Sequence, residues 1–167
     1  MGDRVVILSG EKVRRKIERM VHQLIEHFYG EDEIVVIGIR RKGALLSQRI
    51  VDRLNEIQAF KIDYFELSMQ KDDPLNHPIS IDPNPNDLTD KKVVLIDDVL
   101  NSGRTLIYAS KHILQFPLKS LTTLCLVDRI HRRFPIKADI VGLSLSTTLQ
   151  EHILVDLQAD EETIYLE

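Results

Sequence analysis

Val93-Val94-Leu95-Ile96-Asp97-Asp98-Val99-Leu100-Asn101-Ser102-Gly103-Arg104-Thr105 decides the reading of this chain. The four leading apolar residues predict a buried strand of a parallel sheet. Two carboxylates follow, then an apolar pair, then a small polar loop with one glycine. Beyond the loop, Leu106, Ile107, Ser110, Ile113 and Leu114 make a mostly apolar helical face, so a helix begins near Ser102 or Thr105. This order sets loop amides and the positive end of a helix beside two acids. Free N–H groups at a helix N-terminus attract anions, phosphate above all. An ionised carboxylate only accepts hydrogen bonds, which suits a diol such as ribose. Phosphate on one side and ribose hydroxyls on the other describe a ribose 5-phosphate. Successive strand side chains point to opposite faces. Asp97 and Asp98 therefore reach one ribose only if the strand has ended by then; otherwise one of them is structural. The run lacks the Gly-Lys-Thr ending and glycine spacing of a Walker loop, which argues against a nucleotide triphosphatase.

A second site element lies upstream. Ile34-Val35-Val36-Ile37-Gly38-Ile39 predicts another buried strand, and Arg40-Arg41-Lys42-Gly43 follows it. Open α/β sheets bind ligands at the carboxyl ends of their strands, where these cations stand. Ala44, Leu45, Ile50, Val51 and Leu54 then mark a helix. Before this unit, Val5-Val6-Ile7-Leu8 is a strand or an extended arm, and Ser9 can cap a helix that ends near Gly30. In that helix Val13, Ile17, Met20, Val21, Leu24 and Phe28 recur at helical spacing. His22 and His27 fall on different faces and do not suggest a metal pair.

Residues 58–67 alternate like a strand. From Gln70 to Lys92, Pro74, Pro78, Pro83 and Pro85 among many Asp and Asn exclude a helix and suggest a mobile hairpin or lid. Downstream, Phe116-Pro117 stops the motif's helix. Leu121–Val127 is a strand that ends in a second charged cluster, Asp128-Arg129-Ile130-His131-Arg132-Arg133. Short strands are expected at 140–143, 153–155 and 163–166. Strands alternating with helices argue for a parallel α/β sheet covered on both faces.

At 167 residues with no linker or repeat, residues 1–167 are expected to form one domain. The formal charge of −4 shows no global pull toward nucleic acid. Cys125 is the single cysteine, so no internal disulfide is possible, and it sits in an apolar run. No apolar stretch approaches the ~20 residues of a membrane span. With no signal-peptide pattern at the N-terminus, the expected location is the cytoplasm.

The central run resembles the signature of type I phosphoribosyltransferases, which bind phosphoribosyl pyrophosphate (PRPP). Val13-Arg14-Arg15, Gly38-Ile39-Arg40, Asp128-Arg129, His131-Arg132, Pro135-Ile136 and Ala138-Asp139 extend the resemblance from Val5 to Tyr165. They point to one subfamily, the pyrimidine-operon attenuation proteins that are also uracil phosphoribosyltransferases. The resemblance implies an α/β single-domain fold with a central parallel sheet flanked by helices, a hood and a flexible loop. It implies transfer of ribose 5-phosphate from PRPP to a nucleobase, with uracil expected, and a nucleoside monophosphate as product. Asp97, Asp98, Asn101, Ser102, Gly103, Arg104 and Thr105 would hold the ribose and 5-phosphate. Arg40, Arg41, Lys42 and Gly43 would bind pyrophosphate, and Asp128, Arg129 and Ile130 would belong to the base hood. Asp97, Asp98, Arg41 and Lys71 would carry the chemistry, Lys71 by reaching the leaving pyrophosphate from the loop. Magnesium is the expected cofactor, met by Asp97 and Asp98 through water. A homo-oligomer, dimeric or higher, is expected.

Three departures from the subfamily stand out. Ile130 replaces a glycine, Gln70 and Lys71 replace a tyrosine and an arginine, and Leu143 and Leu149 replace basic residues. A positive φ at position 130 would make isoleucine costly. The lost basic residues lead us to expect weak or absent RNA binding, Arg14, Arg15, Lys16 and Arg19 notwithstanding. Asn101 stands where purine enzymes place an aspartate, which favours a pyrimidine. The alternative function is a PRPP- or nucleotide-sensing regulator of pyrimidine metabolism with little turnover.

Overall fold

The computed structural model describes residues 4–148, 150–158 and 161–167. Leu149 lies outside them. The elements run β1 (Val5–Ser9), α1 (Glu11–His27), β2 (Glu33–Ile39), α2 (Lys42–Ile57), β3 (Lys61–Ser68), β4 (Ser80–Asp82), β5 (Lys92–Leu100) and α3 (Arg104–Ile113). They continue with β6 (Ser120–Asp128), β7 (Ile140–Ser144), β8 (Ile153–Asp156) and β9 (Thr163–Leu166). Among the described residues no helix is long and apolar enough to cross a membrane.

The main sheet has the order β4-β3-β2-β5-β6-β7. All its pairings are parallel except β3 with the short edge strand β4. Strand alternation divides the apolar side chains between two cores. Val36, Val94 and Ile96 pack with α1 and α2 on one face. Val35, Ile37, Val93 and Leu95 pack with Leu106, Ala109 and Ile113 of α3 on the other. This is the expected α/β architecture, with a mostly parallel sheet covered on both faces.

The chain ends depart from the local patterns. β1, β9 and β8 form a separate antiparallel sheet, with β1 pairing β9 across almost the whole sequence. Ser9 does not cap α1: it belongs to β1, and Gly10 is the N-cap at φ 49° with no side-chain cap hydrogen bond. The tight corner uses glycine's access to positive φ, and the amide of Gly10 donates to the Glu162 carbonyl at 2.7 Å. α1 closes at His27, three residues before Gly30.

The proline-rich segment is also more anchored than a free lid. β4 adds to the sheet edge, with Ile81 and Leu88 buried in the α3-side core. The part left over the strand ends is the stretch from Met69 to Ile79.

Candidate active site

In the main sheet the chain steps from β2 outward to β3 and β4, then returns to the other side of β2 as β5. That reversal opens a crevice at the carboxyl ends of β2 and β5, the place where open parallel sheets take ligands. The two loops leaving these strands are Arg40–Gly43 and Asn101–Gly103, the two stretches singled out in the sequence. Two adjoining cavities occupy the crevice. One of about 310 Å³ is lined by Asp97 to Leu106, together with Lys71, Asp72 and Ile153. The other, of about 1080 Å³, lies against Arg40, Arg41 and Lys42, the end of β3, and Leu154 to Gln158 of the small sheet.

β5 does not end before the acidic pair; it continues to Leu100. Its alternation nonetheless reverses across the two aspartates. Val94 and Ile96 share the core of Val99, whereas Val93 and Leu95 share the core of Leu100. The slip lets both carboxylates line the same cavity, although they are neighbours on a strand. Asp97 and Asp98 are buried, and the Asp98 amide donates to Asp97 Oδ1 at 3.0 Å. Burial pushes the Asp97 carboxyl above the usual carboxylate range; Lys71 opposes that rise and the charge of Asp98 adds to it. Such a site favours a nearby cation.

Gly103 turns the chain from loop to helix at φ 86° and is the N-cap of α3. A Cβ there would come within 2.8 Å of Ile136 Cγ2 and 3.3 Å of the Phe134 carbonyl. Only glycine satisfies both the angle and the space. Ser102 Oγ accepts from the Arg104 amide at 3.3 Å. Arg104 directs its side chain to the Asp72 carbonyl, 3.2 Å away, and over the Phe134 ring. Asn101 and Thr105 complete the wall.

In the cationic loop Arg40 lines the larger cavity while pairing with Glu66 at 3.1 Å and Asp82 at 2.8 Å. It braces the edge strands, and Arg41 and Lys42 are left as the loop's cations without a carboxylate partner among the described residues. Arg41 holds φ 76° and ψ −115°, a strained conformation for a side-chain-bearing residue. Gly43 lets the start of α2 close on β5: a Cβ there would stand 3.0 Å from Asp97 Oδ1 and 3.1 Å from Asp97 Cα. Lys71 bridges the two cavities, its Nζ 3.3 Å from Asp97 Oδ1.

The expected hood residues Asp128, Arg129 and Ile130 sit behind the loop after β5. Arg129 is buried and donates to Asn101 Oδ1 at 3.1 Å. Asp128 Oδ1 accepts from Arg132 at 2.6 Å and from the Ile130 amide at 2.9 Å. Ile130 takes φ 55°, the left-handed region that disfavours a β-branched residue, and its side chain is 60% exposed.

Two residues that the sequence does not single out as site residues, Arg132 and Glu162, brace the site from outside it. Arg132 Nη1 donates to the Asn101 carbonyl at 2.9 Å; its four-residue spacing from Asp128 was the available signal. Glu162 is buried between Arg14, at 2.9 Å, and Arg49. Burial alone would raise its carboxyl, but its own backbone amide and the two arginines hold it below the usual range. Arg49 also donates to the Leu157 carbonyl at 2.5 Å, tying the small-sheet rim to α2. No local pattern announces a contact between residues so far apart in the chain.

The model of the phosphoribosyl transferase domain matches residues 6–162. The bifunctional protein PyrR of Bacillus cereus strain AH820 is 35% identical over 97% of this chain and 95% of that protein. PyrR of Bacillus cereus strain B4264 is 34% identical over the same shares. Among solved structures, a hypoxanthine-guanine phosphoribosyltransferase of Bacillus anthracis superposes with a TM-score of 0.72 at 20% identity, covering 86% of this chain and 83% of that one. The hypoxanthine phosphoribosyltransferase of Trypanosoma cruzi superposes with a TM-score of 0.76 at 15% identity, covering 96% and 94%. At these identities the structures speak for the fold alone.

Proposed function

The chain belongs to the phosphoribosyl transferase domain family, and from that premise we propose that it moves the ribose 5-phosphate of PRPP onto uracil, releasing pyrophosphate. The observation that carries this reading is the crevice at the β2/β5 reversal. It brings two buried carboxylates and a glycine-capped helix start into one cavity and a cationic loop into the adjoining one, with Lys71 and Asp72 lining both.

The roles follow from the chemistry of each group. Amides and hydroxyls of Ser102, Gly103, Arg104 and Thr105 at the start of α3 receive the 5-phosphate. Asp97 and Asp98 accept hydrogen bonds from the ribose hydroxyls. Arg41, Lys42 and the Gly43 amide neutralise pyrophosphate, with Lys71 adding charge from the loop. In the reaction the bond from the anomeric carbon to the pyrophosphate oxygen breaks and the oxygen keeps the electron pair. A ring nitrogen of the base forms the new bond and its proton passes to the departing pyrophosphate. The positive charge on the ribose in between is stabilised by the aspartates, and water is kept out by the loop; these are positioning and electrostatic contributions.

Among the described residues no group of three metal-ligating side chains forms a protein cage. The acidic pair instead fits magnesium, which keeps waters and substrate phosphates and takes one or two carboxylates. Asp97 and Asp98 would hold it through water, and when bound it supplies positive charge to the pyrophosphate oxygens.

Uracil is favoured by Asn101, since an amide takes up no ring proton at neutral pH, and by the relatives named PyrR. A second reading, a nucleotide-sensing regulator with little turnover, draws on the strained Ile130 in the segment behind the cleft. RNA binding is weak in our reading. On α1, Arg14 is engaged by Glu162, Arg15 by Glu11, and Arg19 by Gln23 and the Val141 and Gly142 carbonyls. We read the molecule as one domain acting in the cytoplasm as a homo-oligomer. Calorimetry with PRPP and magnesium, and with uridine 5′-monophosphate, tests the pocket: both should bind, and binding of neither would refute the reading.

A further inference from the structure

We infer that Arg129 is a specificity-determining positioning residue: it fixes the Asn101 amide so that only N–H donors face the nucleobase. This rests on the phosphoribosyl-transfer reading above and deepens it, by stating what the base must offer. Arg129 is nearly inaccessible, at 4% exposure, and each of its three nitrogens has a partner. Nε donates to Thr147 Oγ1 at 2.5 Å, Nη2 to the Thr148 carbonyl at 2.6 Å, and Nη1 to Asn101 Oδ1 at 3.1 Å. A guanidinium has donors and no acceptor, so the amide atom facing it must be the oxygen. The orientation of Asn101 therefore follows from chemistry.

The main chain is held as firmly. Arg132 Nη1 donates to the Asn101 carbonyl at 2.9 Å, and the Arg129 amide donates to the Leu100 carbonyl at 2.9 Å. Arg133 and Phe134 amides both donate to the Ser102 carbonyl, at 2.9 and 3.0 Å. Asn101 itself is exposed and lines the cavity beside the acidic pair. Its Nδ2 has no hydrogen-bond partner among the described residues. Two N–H donors thus remain for a ligand, and the oxygen is turned toward Arg129.

A donor-only contact selects its partner. A base with a carbonyl oxygen beside the reacting ring nitrogen, as in a 2-oxopyrimidine, can accept from Nδ2. A base whose second ring nitrogen must pass a proton to the protein finds no acceptor at this position. Arg129 acts without touching the base, by preventing the amide from rotating.

The test compares dissociation constants for uridine 5′-monophosphate and ribose 5-phosphate by calorimetry; their ratio isolates the base. Asn101→Leu, of similar size with no donor, should lower the preference for the nucleotide by roughly three- to tenfold, the range for one hydrogen bond. Arg129→Lys, which cannot make the same fork, should lower it by a similar factor. In the Asn101→Leu background Arg129→Lys should add nothing. Thr147→Val, removing the hydroxyl that supports Nε, is the milder variant should Arg129→Lys not fold, and its effect should likewise vanish in that background. Additive effects, or an unchanged ratio in Asn101→Leu, would overturn the inference while leaving the phosphoribosyl reading intact. Failure of the unmutated protein to bind either ligand would instead overturn that reading.

Discussion

The two loops that frame the crevice reach their shapes by opposite means. The loop after β5 uses glycine where the backbone turns left-handed, and a neighbouring segment clamps it: Arg129, Arg132, Arg133 and Phe134 all donate to Asn101 or Ser102. The loop after β2 puts an arginine at φ 76° and has no comparable clamp among the described residues. Strain of this kind costs on the order of 1–3 kcal/mol and persists where the surroundings impose it. The first loop is held in place, which suits the proposed 5-phosphate, a group that stays bound through the proposed reaction. The second carries its cations on a strained turn, suited to a group that must leave.

If the loop after β5 is the rigid partner, Gly103→Ala should be the most damaging change. The left-handed angle costs about 1–2 kcal/mol, and the clash with Ile136 about 1–3 kcal/mol more. Chemical denaturation should show a loss of roughly 2–5 kcal/mol. A loss under about 0.5 kcal/mol would mean that the loop relaxes and the contrast is false.

Asp98→Asn should come next, weakening PRPP binding by roughly 1.5–3 kcal/mol in calorimetry, as expected for a hydrogen bond to a charged group. Arg41 sharpens the contrast further. Arg41→Gly should relieve the strained turn and stabilise the fold by about 1 kcal/mol while PRPP affinity falls. Arg41→Ala should lose the affinity without the gain. Equal stability of the two variants would remove strain from the account.

The smallest expected effect concerns Asp97. Its carboxyl is raised by burial, so the folded state binds more protons than the unfolded one between the ordinary carboxylate range and the raised value. Stability is therefore greatest below that range and declines as pH rises through the window. Asp97→Asn should flatten this decline and leave the protein more stable at neutral pH. A pH series of melting curves checks the sign.

The sequence made the loop after β5 legible because its requirements are local. Strand, acids, glycine and helix lie within thirteen residues, and each has a characteristic composition. The main elements on either side of it were legible by periodicity for the same reason. The cationic loop was legible only as charge. Nothing in Arg40-Arg41-Lys42-Gly43 says that Arg40 turns back to Glu66 and Asp82, or that Arg41 takes the strained angle. The reversed alternation at Asp97 and Asp98 was likewise invisible, because an acidic pair after four apolar residues looks like a strand's end. β4 was hidden among prolines, and the separate sheet of β1, β9 and β8 depends on pairing between distant residues. At Ile130 the sequence identified the question, a lost glycine, and the structure supplied the positive φ.

We propose that this crevice transfers ribose 5-phosphate to a pyrimidine. Pyrophosphate release from PRPP and magnesium, measured with uracil, hypoxanthine and guanine in parallel, tests it most directly. Release should depend on added base and be fastest with uracil. Faster release with hypoxanthine or guanine, or no release with any base, would contradict it.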